Sequence, residues 1–165
     1  AGLISKGEKI EYRVVGDGML RENLQQLIEA RGIERQVRLV GWKTHEEVKM
    51  LLEESHVLVA PSLTADSGDQ EGIPNAIKEA MATGLPVIST FHSGIPELVN
   101  DGLSGLLVPE RDAASLADAL AYLIRHPEVC KTMGQAGRRM VELRFDTNSL
   151  NAELEELYLR GVRAS

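Results

Sequence analysis

The chain has 165 residues, of which 43% are hydrophobic and 26% charged, enough apolar material to bury one core and to argue against disorder. Its net charge is −7, and residues 61–110 alone carry −6, with Lys78 the only base against seven carboxylates, the opposite of what a nucleic-acid surface requires. No apolar run approaches the roughly 20 residues that span a bilayer, and no charged-then-apolar leader is recognisable, so a soluble chain is expected.

The first residues, AGLISKGEKIEYRVVGDG, lack an initiator Met and read as the tail of a helix running into a strand, as expected of a piece cut from a longer chain. Short β-rich runs then alternate with helical patterns. Strands are predicted at 11–15, 37–40, 57–60, 86–89 and 105–108, with helices at 20–31, 45–54, 74–82 and 95–100 between them. This order predicts βαβ units feeding a parallel sheet, an α/β fold. Thr44, with Glu47 three residues on, has the spacing of a capping box, and Asp112 is a second candidate N-cap. Gly32 and Gly84 are placed to end the helices before them. From Ala113 onward the strands stop and helices follow at 113–125, 129–144 and 149–160, the first two separated by Pro127. The chain is therefore expected to hold a parallel-sheet core over 1–112 and a helical carboxyl-terminal flank of the same domain over 113–165.

Cys130 has no internal partner and reads as a small apolar filler, consistent with a reducing compartment. His45, His56, His92 and His126 share no ligand spacing with Cys or with one another, so no metal site is expected. Glu97, Asp101 and Glu110 are read as a solvated acidic rim, and Arg138, Arg139 and Arg144 as a solvated helix face. Leu150, Leu154, Leu157 and Leu159 are expected to pack on the domain's own sheet, exposure being the alternative that favours self-association.

Two stretches carry candidate chemistry. Strand one runs into VVGDGML, where Gly16 and Gly18 form a glycine turn opening a helix, the usual place for an anion-binding loop. The dinucleotide fingerprint fails, because Arg21 stands at its third glycine and no acid ends strand two. A tight turn and a ligand contact remain equal readings. The second stretch is EGIPNAIKEAMA, where Pro74 sits near a helix start and the N–H groups of Gly72, Ile73 and Asn75 would point to the carboxyl edge of the sheet. Phosphate oxygens suit such N–H groups, and carboxylates suit hydroxyls. Glu71 and Glu79 would then accept from sugar hydroxyls beside a phosphate seat. On spacing alone, helix-dipole stabilisation by Glu71 and an exposed helical charge at Glu79 are the stronger alternatives.

The surrounding words change that weighting. VVGDGMLRENL, VRLVGW, VLVAPS, EGIPNAIKEAMATGLPVIST and GIPELVNDGLSGLLVPERD stand in the order seen in the carboxyl-terminal domain of family 4 retaining glycosyltransferases, and the sequence resembles that family over roughly residues 10–145. The GDQEGIP variant is similar to exopolysaccharide enzymes of the colanic acid type. The resemblance implies one half of a GT-B fold, a Rossmann-like parallel sheet with helices on both faces. It also implies that Glu71 positions the donor sugar, that Glu79 binds the nucleotide ribose, and that Gly72, Ile73 and Asn75 offer N–H groups to sugar and phosphate. Many members have glycine where this chain has Pro74, which removes one donor. The loop Gly41-Trp42-Lys43 corresponds to the nucleobase side, although Trp42 could equally cap the core.

By the same resemblance an Arg and a Lys for the diphosphate, and an acceptor-binding amino-terminal domain, would precede this chain. The chain alone is therefore expected to be inactive and to bind nucleotide weakly. The donor would be a nucleotide diphosphate sugar, the acceptor a glycan or lipid-linked saccharide, and no metal or other cofactor is expected. Cytoplasmic placement, with peripheral contact to the inner face of the membrane in the full-length protein, follows from the resemblance alone. Retention at the anomeric carbon would pass through an oxocarbenium-like state, with helix N–H groups stabilising the leaving diphosphate. Two other readings compete. A flavodoxin-like phosphate-binding signalling module would want an acidic cluster after strand one and a lysine after the last strand, and only Asp17 fits. A sugar-nucleotide epimerase half is disfavoured by the E-x7-E spacing.

Overall fold

The computed structural model describes residues 2–5, 7–64, 68 and 72–163. By its internal contacts the chain divides into two compact units, residues 1–54 and 55–165. The expected boundary near residue 112 thus falls inside the second unit.

In the first unit a single helical turn, α1 (Gly2–Ser5), precedes strand β1 (Tyr12–Val15), helix α2 (Arg21–Ala30), strand β2 (Val37–Gly41) and helix α3 (His45–Glu53). The strands are parallel, with Tyr12 opposite Val37 and Val14 opposite Leu39, and the register slips by one residue so that Val15 faces Gly41. Helix α2 is the crossover that a parallel pair demands. Its end is a Schellman turn: Gly32, at φ +61°, donates to the Glu29 carbonyl and Ile33 donates to that of Ile28. At α3 the capping box forms as expected, with Thr44 Oγ1 accepting from the Glu47 N–H and Glu47 Oε2 accepting from the Thr44 N–H.

The second unit holds strands β3 (Leu58–Ala60), β4 (Val87–Thr90) and β5 (Gly105–Val108), parallel and in that order, with helices α4 (Asn75–Thr83), α5 (Ile95–Leu98), α6 (Ala113–Arg125), α7 (Pro127–Arg144) and α8 (Thr147–Arg163). All four residues of β4 are buried, and since successive side chains point to opposite faces, both faces of the sheet are covered there. Ile77, Met81, Ile88, Leu98 and Leu123 make the core, which α7 completes by packing on α4. Gly105 is required by close approach, because a Cβ there would lie 2.7 Å from the Val87 carbonyl oxygen. Asp112 caps α6 by accepting from Ala114 and Ser115.

Several boundaries move. Leu20 is the N-cap of α2 instead of its first residue, and Pro74 precedes α4 as its N-cap. Pro127 opens α7 from within its first turn, where its missing N–H has no partner to lose. Cys130 behaves as the expected filler: burial pushes its thiol up, and Sγ contacts the Leu123 carbonyl at 3.4 Å. The leucines of α8 do not pack on the sheet; Leu150, Leu154, Leu157 and Leu159 are all exposed.

Candidate functional site

Because β3 and β4 run parallel, the intervening α4 must run back against them, which sets its N-terminus at the carboxyl edge of the β3-β4-β5 sheet. There the chain arrives through Gly72, Ile73 and Pro74. Among the described residues the N–H groups of Gly72, Ile73 and Asn75 have no hydrogen-bond partner, and Ala76 adds a further free N–H that the sequence analysis does not single out. The Ile77 N–H is already taken by the Pro74 carbonyl at 3.1 Å. Glu79 lies half-buried one turn further on, four residues from Asn75 and so on the same face of α4. Glu71 lies outside the described residues.

The chain leaving β3 is fixed by side chains of the neighbouring strands. Ser89 Oγ donates to the Ala60 carbonyl at 2.7 Å, and Thr90 Oγ1 donates to that of Ser62. Glu110, just past β5, accepts from the Thr64 N–H at 2.9 Å through Oε2 and from the His92 imidazole at 2.6 Å through Oε1. The Thr64 N–H, and then His92, hold the Glu110 carboxyl below the usual carboxylate range. Glu110 is therefore not part of a solvated rim. Asp101 is exposed as a rim residue should be, and its Oδ1 also accepts from the Leu107 N–H at 2.9 Å. Glu110 was misread because a charge count carries no information about the N–H groups that tertiary structure brings to a carboxylate.

In the first unit the two glycine-bearing loops meet at the carboxyl edge of β1 and β2, where the Gly16 N–H donates to the Gly41 carbonyl at 2.9 Å. Both glycines have positive φ, +118° and +72°, so turn geometry suffices to explain them. The Gly18 N–H donates to its own neighbour, Asp17 Oδ1, at 2.8 Å. Asp17 also pairs with Arg21 at 3.7 Å. A depression of about 420 Å³ opens beside this turn, lined by Val14, Gly16, Gly18, Met19, Leu24 and Leu39. Trp42 is 72% exposed, so it does not cap a core. Lys43 is half-buried and its ammonium is engaged by Glu47 at 2.9 Å, which together with the Thr44 N–H lowers the Glu47 carboxyl to about 2.

Among the described residues no cluster of three His, Cys, Asp or Glu side chains could hold a metal, and no helix is long and apolar enough to cross a membrane.

Comparison with known proteins gives this geometry a context. The amylovoran biosynthesis glycosyltransferase AmsK of Erwinia amylovora is 42% identical over 158 residues, which cover 96% of this chain and 39% of AmsK. WcaL of Escherichia coli K12, provisionally assigned as a colanic acid biosynthesis glycosyltransferase, is 43% identical over 157 residues, 94% of this chain and 38% of WcaL. The chain thus spans about two fifths of the length of these relatives. Among solved structures, Anabaena Alr3699/HepE in complex with UDP superposes with a TM-score of 0.82 at 25% identity, covering 92% of this chain and 41% of that one. A glycosyltransferase from Rickettsia africae shares the fold at a TM-score of 0.85 and 20% identity, over 98% of this chain and 42% of that one. The sequence matches the family described as glycosyl transferases group 1 over residues 1–140, and with AmsK and WcaL above 40% identity the chain belongs to that family.

Proposed function

We propose that the chain is the donor-binding half of a retaining glycosyltransferase of exopolysaccharide synthesis, which moves a sugar from a nucleotide diphosphate sugar to a glycan or lipid-linked saccharide. The observation that carries this is the set of free N–H groups at the N-terminus of α4 with Glu79 on the same helix. Gly72, Ile73, Asn75 and Ala76 would receive phosphate oxygens there, with the helix dipole adding to their attraction. Glu79 would accept from ribose hydroxyls, and Glu71 would position the donor sugar. In the first unit, Trp42 would offer its exposed ring to a nucleobase, beside Gly41 and Lys43, with the Gly16–Gly18 turn close by. The complex of Anabaena Alr3699/HepE with UDP-glucose, at 26% identity, supports a nucleotide-sugar donor for this fold.

In the transfer, the bond from the anomeric carbon to the diphosphate oxygen breaks and the diphosphate leaves with the electron pair, while an acceptor hydroxyl oxygen bonds that carbon and gives its proton to the departing diphosphate. The N–H groups of α4, together with the cationic side chains expected outside this chain, would stabilise that developing charge in place of a metal. Activity itself belongs to an enzyme of the relatives' length, acting from the cytoplasm at the inner face of the membrane. Titration of this chain with UDP, GDP and their common sugar conjugates tests the proposal. A preference for one nucleotide that is lost in Glu79→Ala is expected; equal binding by both proteins would overturn it.

A further inference from the structure

From sequence alone His92 has no role and Glu110 reads as part of a solvated rim, and the family match assigns them nothing. Yet the imidazole is 99% buried and, among the described residues, makes one side-chain hydrogen bond, from Nδ1 to Glu110, while its Nε2 is buried with no partner there. A residue chosen only for packing would not leave a polar nitrogen desolvated and unpaired. The bond from Nδ1 to Glu110 is the polar contact that offsets this cost. Glu110 uses its second oxygen to accept the Thr64 N–H, and Arg111, at the strained φ of +59°, donates from Nη2 to the Thr64 carbonyl at 3.2 Å. Both backbone groups of Thr64 are thus held by residues that follow β5, and His92, which follows β4, braces the carboxylate that does so. Thr64 stands seven residues before Glu71 in the sequence. On the far side of that stretch, Gly94, two residues after His92, packs against Ile73, where an added Cβ would come within 2.9 Å of Cγ1.

We propose that His92 and Glu110 are a positioning pair, which fixes the chain leaving β3 at Thr64 and so sets the preference for a nucleotide sugar over the bare nucleotide. The proposal rests on the donor-site assignment made above. Neither side chain touches the donor: they act through Thr64. The nucleotide contacts proposed for α4 do not run through Thr64, so loss of the pair should weaken the sugar-dependent part of binding and spare the rest.

The test uses an enzyme of the relatives' length, with His92→Ala, His92→Asn and Glu110→Ala, titrated with UDP-glucose, GDP-mannose, UDP and GDP, and with melting temperatures measured in parallel. Asn retains a donor near the position of Nδ1. Expected is a fall in the ratio of nucleotide-sugar to nucleotide affinity of roughly tenfold in His92→Ala and Glu110→Ala, as a small misplacement of a binding segment produces, with most of it recovered in His92→Asn. If all four proteins bind with the same ratio and differ only in melting temperature, the pair is structural and the proposal is wrong. If the wild type binds none of the four probes, the donor-site assignment falls, and the proposal with it. Should the Ala variants fail to fold, His92→Asn and Glu110→Gln carry the same comparison: an unchanged ratio in a Glu110→Gln protein whose Thr64 N–H has become exchange-labile would likewise overturn it.

Discussion

Ile73 leans on Gly94: a Cβ added to the glycine would lie 2.9 Å from Ile73 Cγ1 and 3.5 Å from Cδ1. Cγ1 is close to the backbone and cannot swing aside freely, so Gly94→Ala pushes on the segment that presents the N–H groups of Gly72 and Ile73. A stability loss of about 1 kcal/mol is expected from such overpacking. Nucleotide-sugar affinity should fall several-fold with it, and calorimetric titration beside a denaturant melt separates the two effects.

Trp42 is the sole tryptophan and is exposed, which makes it a reporter as well as a candidate platform. Its fluorescence should change on addition of the preferred nucleotide. Trp42→Ala should weaken that nucleotide by about 1–3 kcal/mol, the usual worth of stacking a base on an aromatic ring, and leave the melting temperature nearly unchanged. Silent fluorescence together with unaltered affinity would remove Trp42 from the site.

Gly134 lets α7 lie directly against the end of α4, since a Cβ there would collide with the Gly84 carbonyl oxygen. Backbone cannot move aside as a flexible side chain does. Gly134→Ala should therefore destabilise the second unit by about 2–3 kcal/mol, read in a denaturant melt as a lower midpoint.

The capping box at α3 predicts both a mutation effect and a pH dependence. Thr44→Ala removes the Oγ1 that accepts from Glu47 N–H, at a cost of about 1 kcal/mol. The folded Glu47 carboxyl titrates at about 2, below its ordinary 4.5, chiefly through Lys43 and the Thr44 N–H. A depressed carboxyl stabilises the fold above its unfolded pKa, and that stabilisation is lost as pH falls from about 4.5 toward about 2. Thermal melts across this window should show a shallower pH dependence in Glu47→Gln than in the wild type.

What was legible in the sequence was local. The Thr44–Glu47 box, the Asp112 cap, the Gly84 left-handed cap and the β–α alternation all follow from residues a few positions apart, and they stand in the structure as expected. The family was legible for a different reason, because its words lie in order along one chain. The His92–Glu110 pair was not legible: the partners are 18 residues apart and meet only because β4 and β5 run parallel and end together. Glu110 looked like part of a rim for the same reason. The core-cap reading of Trp42 could be removed only by its exposure, and the leucines of α8 carry a helical period that is the same whether or not anything covers them.

Glu79 is the residue on which the donor assignment turns, and its proposed role is to accept from the ribose hydroxyls. The most direct measurement is therefore the affinity of the preferred nucleoside diphosphate and of its 2′,3′-dideoxy counterpart, UDP and GDP series alike, for the wild type and for Glu79→Ala. The wild type should lose roughly tenfold when the hydroxyls are removed, as a charge-assisted hydrogen bond warrants, and Glu79→Ala should bind both forms alike. Equal discrimination by the two proteins would contradict the role of Glu79 in holding the nucleotide.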